Sequence, residues 1–424
     1  MTFTPSIRVY VLGAILFVAL TRESGDMGGP FFIACLAVAG IAYLLAVREF
    51  FRTSRFPRHV IVIGLVLAAL WHLHFLRMPS GADDDIRRYV WDGRVQRLGY
   101  NPYIVVPSDP AVRGLHTGET RNLNNPDVPS PYPAGAQLFF RAVTAIHEST
   151  FALRVAFVVC DFAIVFVLLD VLRREERGAH LVLAYAWNPL LAIEVAGTGH
   201  IDIVGAFLLL VSFAALGREW RAIAAVAFGL AIAVKFLPIV LFPLYWKRVR
   251  MRDAVLAAAV VALLYVPFLN GSGIPIGSLL TYVQTWRFND PVFAKLEQVA
   301  PQIAAGLPPL VGFVTATWLR NAKFVLGSAD VFAWPMAASL LCAPVVYPWY
   351  LLWPLPFLRS TSTLPILIWT VSIFPTYVVW HLRTLGRPWV VPGWITLIEY
   401  GSVAAAGAVI ALRRFTRPAV SRCA

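Results

Sequence analysis

Charge is scarce in this chain: of 424 residues only 14% are Asp, Glu, Lys or Arg, against 59% hydrophobic. With a mean hydropathy of +0.70, that balance excludes an ordinary soluble protein and indicates a chain that lives in a lipid bilayer. Cysteine is nearly absent. Cys35, Cys160, Cys342 and Cys423 are far apart, and the first three sit in apolar runs, which excludes a disulfide framework or a zinc site and leaves small buried hydrophobes. The chain has no Gly-rich phosphate loop, no Ser with the partners of a nucleophile triad, and no internal repeat. Lys and Arg outnumber Asp and Glu by 36 to 23, but they occur in short clusters between apolar spans. That pattern obeys the positive-inside rule and excludes nucleic acid as a partner. Residues 9–20 lack a small-residue cleavage site and read as a retained first span.

Apolar runs at 7–21, 30–47 and 59–77 each approach the ~20 residues that cross a bilayer as helix. Arg48, Arg52, Arg55 and Arg58 mark the second loop as cytoplasmic; the first carries Glu23 and Asp26 and faces out. The third span then delivers residues 78–149 to the outside. Spans at 150–172, 179–197, 203–217, 253–269, 301–319, 363–381 and 392–412 alternate by the same rule, with a second external loop at 270–300. Two apolar stretches have basic residues at both ends: 222–246, between Arg221 and Lys247, and 329–358, between Lys323 and Arg359. One straight crossing satisfies neither. Proline interrupts both, at Lys235-Phe236-Leu237-Pro238 and between Pro344 and Tyr350, so each reads as a re-entrant hairpin whose apex is buried in protein or lines a wet cavity. The expected fold is all-α and polytopic, with about twelve to fourteen transmembrane or re-entrant helices and both termini cytoplasmic. It divides into N-terminal spans (1–77), a large external loop (78–149), a core with the hairpins (150–358) and C-terminal spans (359–424).

The external loop opens with GADDDIRRYVWDGRVQRLGYNPY, residues 81–103. Asp83, Asp84 and Asp85 stand where a span ends and a helix begins. One Asp caps a helix and complements its dipole; three adjacent acids repel one another and point to chemistry. On a helix Asp85, Arg88 and Asp92 share one stripe, and Arg87, Trp91 and Arg94 another. The bland alternative for Arg88 and Asp92 is an intrahelical ion pair. Downstream, Gly197 and Gly199 permit a tight turn that presents His200 and Asp202; a lone histidine near Glu194 matches no zinc spacing. Lys235 lies inside an apolar run, where a cation is costly enough that function is the default, a snorkelling or salt-bridged lysine being the alternative. Tyr347, Trp349 and Tyr350 mark the second break, as site groups or as interfacial aromatics.

Carboxylates and cations at a membrane surface suit sugar transfer from a lipid carrier, a base acting on the acceptor hydroxyl and cations on the leaving phosphate. Spacing alone does not select it. Five blocks sharpen it: DDDIRRYVWDGRVQRLGYNPY, NNPDVPSPYPAGAQLFF, AWNPLLAIEVAGTGHID, AVKFLPIVLFP and APVVYPWYLLWPLPF. In sequence and order, over residues 80–358, they resemble the bacterial polyprenol-phosphate-mannose-dependent mannosyltransferases of the GT-C superfamily. The resemblance implies a polyprenyl-phosphate sugar donor, a glycolipid or glycan acceptor, inversion in a single displacement, and an active site on the external face of the cytoplasmic membrane. It implies a general base at Asp84 or Asp85. Asp83, Arg88, Tyr89, Trp91, Asp92 and Arg94 would be neighbouring groups, His200 and Asp202 would lie in the substrate cleft, and Lys235 near the lipid phosphate. It demands no cofactor, although three acids can hold a divalent cation in some relatives. Arg87 replaces a frequent aromatic and Tyr132-Pro133-Ala134 a double proline, differences that bear on substrate choice. The rival reading is a secondary transporter or lipid-carrier flippase, whose sites also use proline-broken segments.

Overall fold

The computed structural model describes residues 4–22, 26–80, 85–270, 273–322 and 329–415, without the side chains of 413–415. Asp83 and Asp84, with the topology markers Glu23, Lys323 and Arg417, lie outside the described residues.

The first three spans form α1 (Pro5–Thr21), α2 (Pro30–Arg52) and α3 (Arg58–Arg77). Proline opens α1 and α2, where its fixed φ suits the helix and its missing N–H costs nothing. The motif forms α4 (Asp85–Arg97), and after a long loop comes α5 (Ala134–Ile146), packed along it. The chain then crosses as α6 (Thr150–Arg174), whose N-cap Ser149 accepts from Ala152 N. Next are the short α7 (Val182–Ala186), a π turn (Leu191–Gly197), α8 (Asp202–Gly217) and α9 (Arg221–Val234). Among the described residues the only β pairing is the bridge between Phe288 and Val345.

Among the described residues six helices are long and apolar enough to cross a membrane, or seven if the α7–π-turn pair, bent by 65°, is one span. Among the same residues five more apolar helices have 10–17 residues. Several of the twelve to fourteen expected segments are thus shorter than a bilayer, because proline and glycine interrupt them. Met251–Phe268 and Gly393–Leu412 have only 17% of their apolar windows buried, as for helices facing lipid. The protein is a multi-pass, all-α membrane protein.

Three breaks position the site. In the first, Asn188 Oδ1 accepts from Leu190 N at 3.0 Å and its amide donates to Thr370 Oγ1 at 2.8 Å, starting the π turn across Pro189. The carbonyls of Ala196 and Gly197 at the turn's end, and of Phe75 and Met78 on α3 and just beyond it, receive the guanidinium of buried Arg154 at 2.9–3.4 Å. In the second, α9 stops at Lys235, which is extended (φ −160°, ψ 145°), and a 3-10 turn (Leu237–Leu241) follows. In the third, the helix Asp330–Leu341 gives way to a strand-like segment held by Phe288 N to Pro344 O (3.1 Å) and Val346 N to Phe288 O (2.9 Å), then to 3-10 turns. All three breaks fall at prolines the sequence shows, Pro189, Pro238 and Pro344, but after the latter two come short 3-10 and α pieces in place of regular return helices.

Candidate active site

A cavity of about 910 Å³ lies where these breaks meet the motif loop. Of the residues singled out from the sequence, Asp85, Arg88, Lys235, Tyr347, Trp349 and Tyr350 line it, whereas Tyr89, Trp91, Asp92, Arg94, His200 and Asp202 do not.

Asp85 begins α4 and is half-buried. One carboxylate oxygen accepts from the Asn124 amide and the other from Tyr132 Oη at 3.3 Å. His200 Nε2 stands 4.0 Å from that second oxygen. Asn124 and Tyr132 both come from the Asn- and Pro-rich loop before α5, so the loop must be held. Arg88 does this: buried, it donates Nε to Asp92 Oδ1 at 3.1 Å, Nη1 to Asn125 O at 3.2 Å and Nη2 to Val128 O at 2.9 Å. Asp92 is fully buried and also accepts from Ser130 Oγ and from Gln137 Nε2 at 2.9 Å. Burial pushes its carboxyl above the usual carboxylate range, against the pull of Arg88, Ser130 and Gln137. The ion pair is therefore a brace, with Arg88 showing one side to the cavity.

Tyr89 is buried behind Tyr132, stacked on Phe140 with centroids 4.4 Å apart. Trp91 and Arg94, on the opposite stripe of α4, turn away from the cavity. Trp91 stacks on His116 (4.2 Å) in a small separate core with Val95, Val112 and Leu123. Arg94 donates to Leu115 O and Glu148, both at 2.7 Å. Helical periodicity separated these two from Asp85 correctly; placing them beside the site does not follow from it.

Across the cavity, Lys235 Nζ lies 2.9 and 3.1 Å from the carboxylate oxygens of Asp202 and 4.0 Å above the Tyr350 ring. Trp353 Nε1 also donates to Asp202, at 2.7 Å. This contact depends on Gly205, where a Cβ would fall 1.9 Å from Trp353 Cη2. Asp202 thus fixes the ammonium from behind, while Lys235 itself faces the cavity. Tyr350 hydrogen-bonds Tyr282 of the second loop, whose hydroxyl burial pushes well above the ordinary tyrosine value.

Sequence reasoning missed several lining groups. Arg383 and Arg387, in the connection before the last span, line the cavity, are exposed, and have no carboxylate partner among the described residues. Asn124 and Tyr132 lie in the quoted loop block but carried no signal that they would meet Asp85. Among the described residues no three His, Cys, Asp or Glu side chains are grouped to hold a metal ion. Chemically, the Asp85 carboxylate and several cations share an aromatic-lined cleft, suited to deprotonating a hydroxyl beside an anion.

No curated protein matches the chain. Among solved structures, ArnT from Cupriavidus metallidurans bound to undecaprenyl phosphate is similar, with 14% identity over 82% of this chain and 76% of that one and a TM-score of 0.46, too distant to carry an argument. The description "Alpha-(1->6)-mannopyranosyltransferase, N-terminal domain" matches residues 9–249, from α1 through the motif loop and the Lys235 break. That span exceeds half of the chain, bears out the resemblance seen in the motif blocks, and shows that the protein belongs to this mannosyltransferase family and is a membrane glycosyltransferase.

Proposed function

We propose that the protein transfers mannose from a polyprenyl phosphate to a hydroxyl of a lipid-linked or cell-envelope glycan, with inversion and with Asp85 or Asp84 as general base. The observation that carries this reading is that Asp85 lines the same cavity as Lys235, Arg383 and Arg387. A carboxylate that receives the hydroxyl proton makes the acceptor oxygen nucleophilic. Cations opposite it lower the energy of the phosphate that leaves with the bonding electrons. The sugar, and an alpha-(1->6) linkage as first choice, are supported by the family description.

The side of the membrane rests on charge. Arg48, Arg52, Arg55 and Arg58 flank the α2–α3 connection and keep it in the cytoplasm, so α3 carries Asp85 to the external face of the bacterial cytoplasmic membrane, with both termini inside. The test is to incubate the purified protein in proteoliposomes with polyprenyl-phosphate mannose and total envelope lipids and identify the mannosylated product by mass spectrometry. Transfer from the polyprenyl donor is expected. Transfer from a nucleotide sugar alone would overturn the donor assignment.

A further inference from the structure

Glu194 is fully buried in the π turn, and nothing in the chemistry above uses it. A carboxylate at that depth is costly unless it is satisfied. Thr198 Oγ1, at 2.8 Å, and the Tyr377 hydroxyl donate to it, and His200 Nδ1 lies 2.8 Å from the carboxylate oxygen that Thr198 reaches and 3.1 Å from Thr198 Oγ1, whose own hydrogen is turned to Glu194. A carboxylate facing Nδ1 calls for a proton there, so in the neutral ring Nε2 is the basic nitrogen. Nε2 is the atom 4.0 Å from Asp85 Oδ2, one small adjustment or one bridging water from a hydrogen bond.

Two further features fix the ring in that direction. His200 stacks on Trp349 with centroids 3.8 Å apart and planes within 11°, and Tyr347 stacks on Trp349 at 4.4 Å and 10°. Two parallel rings that close cannot share one face, so Trp349 is sandwiched and has no open face for a sugar. Its role is to hold the imidazole. Gly199 has φ +83°, and a Cβ there would meet Ile86 Cδ1 at 2.6 Å and Arg154 Cγ at 2.8 Å. Only glycine lets the turn lie against α4 and deliver His200 to Asp85.

We propose that Glu194 and His200 form a proton relay behind Asp85, an inference that rests on Asp85 acting as the base. As the acceptor O–H bond breaks, its proton passes to the Asp85 carboxylate. The oxygen bonds to the sugar's anomeric carbon, and the carbon–phosphate-oxygen bond breaks with its electron pair on the polyprenyl phosphate. The proton then moves from Asp85 to His200 Nε2, giving an imidazolium that Glu194 stabilises through Nδ1–H, and returns through Asp85 to solvent once products leave. His200 and Glu194 do not line the cavity, so both are positioning and relay residues. The charged groups around the ring are Glu194 from its own segment, Asp85 from α4 and Arg154 of α6, which packs on the Gly199 turn.

The test measures kcat and donor KM against pH, in proteoliposomes with polyprenyl-phosphate mannose, for the unchanged protein, Glu194→Gln, His200→Gln and the double variant. Glu194→Gln is expected to lower kcat about 100-fold with donor KM unchanged, and to move the acid limb of the kcat profile to lower pH. The sign follows because losing the neighbouring negative charge makes the imidazole harder to protonate. His200→Gln removes that limb, and the double variant falls no further than His200→Gln. Unmoved profiles, or KM rising while kcat holds, would mean a merely structural turn and overturn the relay, and His200→Gln decides the matter if Glu194→Gln does not fold. No transfer by the unchanged protein removes the donor reading and the relay with it; transfer with equal kcat in both single variants overturns the relay alone.

Discussion

The first and third turns of α4 carry the same side chain in different surroundings. Asp85 retains 19% of its side-chain exposure, faces the cavity and accepts from Asn124 and Tyr132. Asp92, on the same stripe, is fully buried and is bound by Arg88, Ser130 and Gln137. Residue type and spacing do not distinguish a carboxylate that faces a cavity from one that braces a loop. Access to the cavity does: Asp92 is enclosed by the loop it holds, and Asp85 lines the cavity wall.

The contrast breaks most visibly at the brace. Asp92→Ala leaves the Arg88 guanidinium buried without its anion, a loss of about 3–5 kcal/mol. A lowered unfolding temperature in detergent, with faster amide exchange in residues 122–133, is the expected outcome. If stability holds and only kcat falls, Asp92 belongs to the chemistry and the distinction fails. On the Asp85 side, replacing both Arg383 and Arg387 by alanine removes two cations from the cavity wall. Because both are exposed, about 1 kcal/mol is expected, roughly a fivefold fall in kcat/KM. The smallest effect belongs to the opposite stripe of α4. Arg94→Gln breaks a partly exposed ion pair with Glu148 and should cost less than about 1 kcal/mol, leaving KM and kcat unchanged; a large fall in kcat would return Arg94 to the site.

Much of this was legible in the chain. Proline after Lys235 and after Ala343, in runs flanked by basic residues at both ends, located two breaks, because a missing N–H and a fixed φ act locally. The Gly199 turn was legible for the same reason. What was not legible depends on contacts far apart in sequence. Tyr377 reaches Glu194, and Arg383 and Arg387 reach the cavity, only once the C-terminal helices fold against the breaks. A surface arginine carries the same local signal whether it marks topology or lines a cleft. Trp91 looked like a site group because it sits in the motif; His116 and Leu123, which form its own small core, come from a loop with no periodic pattern.

The most direct test of the account compares Asp85→Asn with the unchanged protein in the same proteoliposomes, measuring donor binding and turnover together. The amide keeps the side chain's shape and can still meet Asn124 and Tyr132, but it cannot take a proton. Turnover reduced about 10²–10⁴-fold with unchanged donor affinity is the predicted result. Turnover within a few-fold of the unchanged protein would contradict Asp85 as the base.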